Sequence, residues 1–174
     1  MEYTFTLKYR LAEDEGDMDD LLERLAEAGC EDALAGIGQP GRLALEFTRE
    51  AGSAEDAVRS ALEDVRRAAP AVRLIEMSPD LVGLTDVADI VGMSRQNMRK
   101  LMLAYPASFP APIHEGSTSI WHLADVLAWL QERGTYELPG GVVEVARVAH
   151  LVNVAKEQCR LRGRSPRPWT TLVA

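Results

Sequence analysis

The sequence is short of the residues on which most recognisable site chemistry is built. Two cysteines among 174 residues, Cys30 and Cys159, stand far apart with no Cys-x-x-Cys or Cys/His spacing around them. Neither a structural zinc site nor a disulfide is expected from them. The three histidines, His114, His122 and His150, form no ligand cluster in the sequence, so no metal and no cofactor is expected. A glycine-rich phosphate loop is missing, and no serine or cysteine stands in a nucleophile setting, so nothing argues for an enzyme. No apolar run approaches the roughly 20 residues that span a bilayer. The N-terminus also lacks a basic segment followed by an apolar stretch. A cytoplasmic protein without a membrane partner is therefore expected.

What is present is ordinary for a globular chain: 47% hydrophobic and 26% charged residues, in a length that suits one large domain or two small ones. The formal net charge is -8, but it is segregated. Residues 1–80 hold 9 Lys+Arg against 19 Asp+Glu, whereas residues 81–174 hold 10 against 8. Attraction to phosphate is local and is screened beyond about 8 Å at physiological salt, so an acidic total does not exclude DNA binding by the second half.

Residues 1–78 read as an acidic βαββαβ unit. "YTFTLKYRL" alternates at period two, placing Tyr3, Phe5 and Leu7 or their neighbours on alternate faces of a strand. "DMDDLLERLAEAG" predicts a helix with Leu21, Leu22, Leu25 and Ala28 on one side and Gly29 at its end. "DALAGIGQPGRLALEFTRE" supplies two short strands around Gly38 to Gly41, and "SAEDAVRSALEDVRRAAP" a helix opened by a capping serine and closed by Pro70. "AVRLIEMS" gives the last strand. This order is that of the ferredoxin-like sandwich, within an α+β chain. Its expected roles are dimerisation, partner binding or sensing. The pair Tyr3 and Phe5 can be read as an RNA-stacking platform, but strand aromatics are more often core. "MSPDLVG" reads as a bridge to a second domain, punctuated by Pro79 and Gly83.

"LTDVADIVGMSRQNMRKLM", residues 84–102, predicts two short helices about a Gly92-Met93 turn, the first capped by Thr85 and the second by Ser94. Val87, Ala88 and Val91, then Met98, Leu101 and Met102, take the inner side. Arg95, Gln96, Asn97, Arg99 and Lys100 remain at or near the outer face. Arginine pairs bidentately with guanine, and glutamine or asparagine with adenine. Lysine and a capped helix N-terminus hold phosphate. "YPASFPAPIHEGSTSIWHLADVLAWLQERG" continues as a small hairpin turning at Glu115-Gly116, a tryptophan ending its second strand, and a further amphipathic helix. Trp121 is read as core. His122, where a helix begins, can touch phosphate, cap the helix or lie exposed.

Residues 84–133, through "LTDVADIVGMSRQNMRKLM", "FPAPI" and "SIWHLADVLAWLQ", resemble the MerR-like winged helix-turn-helix, in particular excisionase and AlpA-type regulators. The resemblance implies a DNA-binding module over about 82–134, with the helix from Ser94 in the major groove. It also implies that the hairpin around Gly116 lies along the backbone or minor groove, with contacts from Ser117, Thr118 and Ser119. Wings of that family are typically basic, whereas "IHEGSTSIW" carries Glu115, His114 and hydroxyls.

"GGVVEVARVAHLVNVAKEQCRLRGRSPRPW" predicts an amphipathic helix over 140–162, with Val142, Val145, Val148 or Ala149, Val152, Ala155 and Cys159 on one stripe. That stripe suits packing on its own domain or self-association, and a homodimer is expected. From Lys156 to Arg167 there are five basic residues against one acid. Arg162, Arg164 and the basic tail over 163–174 are thus candidates for phosphate or minor-groove contact. The expected function is a sequence-specific DNA-binding regulator, a repressor acting as a dimer on a palindromic operator. An excisionase-like architectural factor is one alternative. An antitoxin or adaptor that holds a basic protein through the acidic domain is the other.

Overall fold

The computed structural model describes residues 1–13, 15–134 and 136–161. Among them it is α+β, with six helices, a four-stranded antiparallel sheet and a short two-stranded pair. The N-terminal part runs β1 (Glu2–Arg10), α1 (Met18–Glu27), β2 (Ala33–Gly36), β3 (Arg42–Glu50), α2 (Ala54–Ala68) and β4 (Arg73–Ser78). Its strands lie in the order β2-β3-β1-β4, each pair antiparallel.

Period-two patterning decides which face of this sheet is covered. Tyr3, Phe5, Leu7 and Tyr9 of β1 are all buried on one side, together with Leu43, Leu45 and Phe47 of β3. Glu2, Thr4, Lys8 and Arg10 face the other way into solvent. Phe5 and Phe47 sit opposite each other in register and stack at 5.3 Å. Tyr3 and Phe5 are therefore core residues rather than an open stacking platform. Helices α1 and α2 close this core through Leu21, Leu25, Ala57, Val58, Ala61 and Val65. Ser53 caps α2 by accepting the Asp56 N–H, and the helix ends before Pro70, whose ring disfavours helical backbone at Ala69. Gly29 follows α1 at φ 107°, a backbone region that only glycine enters freely.

One charged residue lies among these apolar groups. Arg49 donates from Nε to Asp32, from one terminal nitrogen to Asp32 and the Gly29 carbonyl, and from the other to Asp64 and Ser60. All five guanidinium N–H groups are used, which is the condition under which a buried cation is tolerated. The contact holds the Asp32 carboxyl below its ordinary range.

The second part contains β5 (Leu81–Val82), α3 (Leu84–Ile90), α4 (Arg95–Ala104), β6 (Trp121–His122), α5 (Leu123–Arg133) and α6 (Gly140–Arg160). Val87, Ala88, Met98, Trp121, Leu123, Val126, Leu127 and Leu130 form a second core. Helix α6 belongs to both: Val145 and Ala149 join the sheet core, while Val143 and Ala146 join the second. The Tyr3 hydroxyl donates to Glu144 and Lys156 donates to the Ile75 carbonyl, so polar bonds as well as apolar contacts tie α6 to the sheet.

Four expectations change in detail. "MSPDLVG" is not a bare bridge, because Met77 and Asp80 are fully buried and Leu81–Val82 forms a strand. That strand pairs with Trp121–His122, so Trp121 ends no hairpin; only His114 and Ile120 bridge within the loop itself. Thr85 does not cap α3. Gly83 holds the N-cap position, and its N–H donates to the Asp86 carboxylate. The inward stripe of α6 holds through Val145, Ala149 and Val152 and fails at Ala155 and Cys159, which are exposed beyond the edge of the body.

Candidate nucleic-acid interface

Helices α3 and α4 are separated by four residues, with Gly92 at φ 71° and the Met93 N–H donating to the Ala88 carbonyl. A side chain at position 92 would be strained by its backbone alone. Ser94 then turns the chain into α4, its hydroxyl accepting the Asn97 N–H at 3.2 Å as the sequence predicts. Met98 is fully buried, and Leu101 and Met102 are half-buried beside it. At 3.6 residues per turn these three fix the helix's rotation and leave the polar side outward.

Ser94, Arg95, Gln96, Asn97, Arg99 and Lys100 are all exposed. Helical geometry puts Gln96 and Lys100 opposite the buried side and Arg99 and Asn97 on its two flanks, with Arg95 exposed in the first turn, three residues before Met98. Among the described residues no ion pair engages Arg95, Arg99 or Lys100. Helix α4 carries no acid, while α3 shows Asp86 and Asp89 to solvent. Asn97 and Lys100 also line a concavity of about 400 Å³ with Met93, Leu101, Ala104 and Tyr136. Leu103 is 59% exposed on the same outward side. It was not among the residues singled out from the sequence.

The loop expected to act as a wing is closed by three backbone hydrogen bonds joining Ile113 and His114 to Ile120. Its tip, Glu115 to Thr118, is exposed and Ser119 is half-buried. A Cβ on Gly116 would lie 2.6 Å from the His114 ring, so the tip turns tightly over that imidazole. Ser117 and Thr118 thus present hydroxyls, with Glu115 as the only ionised side chain of the tip. Behind the loop, Trp121 is buried, donates to the Pro110 carbonyl and meets Phe109 edge-on, as the core reading requires.

His122 neither caps α5 nor lies fully exposed. It occupies the N-cap position of α5 without bonding the helix, and its Nδ1 donates to buried Asp80 at 2.7 Å. His150 packs against it with ring centroids 3.9 Å apart. Two histidines read as separate in the sequence are therefore neighbours, brought together by the return of α6. Of the basic C-terminal segment, Lys156 is committed to Ile75 and Arg160 to Glu157. Arg162, Arg164 and the tail over 163–174 lie outside the described residues. Cys30 and Cys159 are both free, and burial pushes the Cys30 thiol up to about 11. Among the described residues no helix is long and apolar enough to cross a membrane. No protein family, curated protein or solved structure matches the chain.

Proposed function

We propose that this chain is a sequence-specific DNA-binding transcription regulator, with α4 as the helix that enters the major groove. The observation carrying the reading is the state of that helix. Its N-terminus is capped by Ser94, its inner side is anchored by Met98, and its three cations face solvent without acidic partners among the described residues. Desolvated or paired arginines make poor DNA ligands, whereas these are available to guanine edges and phosphates. In this reading β5, α3, α4, the 113–120 loop, β6 and α5 form a winged helix-turn-helix similar to the MerR and excisionase type. The sheet with α1 and α2 is a ferredoxin-like sandwich kept off the DNA by its acidity. Repression by occupancy of a palindromic site follows if two copies assemble. The dimer would use a surface other than the inward stripe of α6, which is already covered by its own chain.

The test is selection from a pool of random duplexes at moderate and high salt, with sequencing of what is retained. An enriched motif whose retention falls steeply with salt supports the reading, and a two-fold repeat within it gives the spacing of the recognition helices. Absence of both enrichment and salt-dependent retention would end it.

A further inference from the structure

Between the two cores lies a polar cluster that the groove-binding reading does not use. Asp80 follows β4, His122 opens α5 and His150 belongs to α6, so three separate stretches of chain meet there. The Asp80 side chain is 0% exposed, yet among the described residues its ion-pair partners are only the two imidazoles. One carboxylate oxygen accepts from Asn153, whose own amide is fixed at both ends by the Met77 backbone. The other oxygen has His122 Nδ1 at 2.7 Å and His150 Nδ1 at 3.9 Å. A buried carboxylate so placed calls for a positive charge, and among the described residues no lysine or arginine forms an ion pair with it.

We propose that Asp80, His122 and His150 form a binding site for a divalent transition metal of the zinc class. One potential ligand atom from each residue lies within 4.8 Å of the other two. Ligands held about 2.0–2.2 Å from a zinc ion sit closer together than that, so a modest turn of the imidazoles completes the set. Two imidazoles and one carboxylate suit zinc, cobalt or nickel and disfavour the all-oxygen preference of calcium and magnesium. His122 and His150 keep 19% and 31% of their side-chain exposure, which leaves a solvent side for water to complete the coordination. Asn153 then acts as the outer partner that fixes the carboxylate, as outer ligands do at metal sites. On binding through Nδ1, the His122 ring carries its N–H at Nε2 instead, and the metal takes the place of the hydrogen between Nδ1 and Asp80. The ion would fasten α6 and the start of α5 to the segment after β4. The inference does not depend on DNA binding.

The full chain, stripped with a chelator, is titrated with Zn²⁺ by calorimetry near neutral pH, beside His150→Gln, His122→Gln and the loop control His114→Gln. One equivalent of Zn²⁺ should bind and raise the melting temperature, and Co²⁺ should give a visible ligand-field spectrum. His150→Gln and His122→Gln should each weaken Zn²⁺ by more than the roughly 10–100-fold that loss of an outer partner costs, with His114→Gln unchanged. Sub-stoichiometric binding to wild type overturns the proposal. So does wild-type affinity in either cluster variant that keeps its far-UV dichroism, or equal affinity for Ca²⁺ and Zn²⁺.

Discussion

Arg49 and Arg95 show how differently the two halves of this chain treat the same side chain. In the sheet region Arg49 is drawn inward, and every N–H it owns is bonded to a carboxylate, hydroxyl or carbonyl. In α4, Arg95 stands in solvent with Arg99 and Lys100, and among the described residues no acid pairs with them. The first arrangement makes a cation part of the scaffold. The second leaves cations available for a partner, and nothing in the local fold depends on them.

Removing Arg49 should have the largest effect on that contrast. Arg49→Ala leaves half-buried Asp64 and the Gly29 carbonyl without their donor, and should cost about 1.5–3 kcal/mol of unfolding free energy, read from urea denaturation. A loss under about 1 kcal/mol would show that the network adds little beyond a surface pair. Arg95→Ala should do the reverse. Stability should stay within about 0.5 kcal/mol, while affinity for the selected duplex falls by about 1–3 kcal/mol if the side chain makes a bidentate base contact. Equal affinity of mutant and wild type for target and scrambled duplexes removes Arg95 from the interface.

The smallest of these effects is a pH dependence confined to the sheet region. Arg49 lowers the Asp32 carboxyl in the folded state relative to the unfolded chain, so the unfolded chain takes up protons first as pH falls. The stabilisation is therefore complete above the unfolded value of about 3.9 and is lost as pH drops through the folded one. Asp32→Asn should flatten the urea midpoint against pH in that acidic window and leave the slope near neutrality untouched. An unaltered acid slope would place the effect elsewhere.

Legibility in the sequence followed the range of the interactions. Strand β1, the Ser53 and Ser94 caps and the inner side of α4 were readable because each depends on neighbours one to four residues away. Leu103 was not singled out, although the inner side of Met98, Leu101 and Met102 already turns it outward, because an apolar residue was not sought on the polar side. The Leu81–Val82 strand was missed for a different reason. Two residues carry no periodicity, and their pairing is set by Trp121 and His122 about forty positions later.

Composition and local pattern were enough to establish an α+β chain with an acidic first half and a short helix pair bearing a basic outer side. They established this because backbone propensity, capping and burial periodicity act over a few residues. The return of α6 between two cores came from folding alone, and with it the meeting of Asp80, His122, His150 and Asn153. Buried polar groups must be satisfied by whatever the fold brings within hydrogen-bond reach, and here those partners are separated by up to 73 positions in the chain.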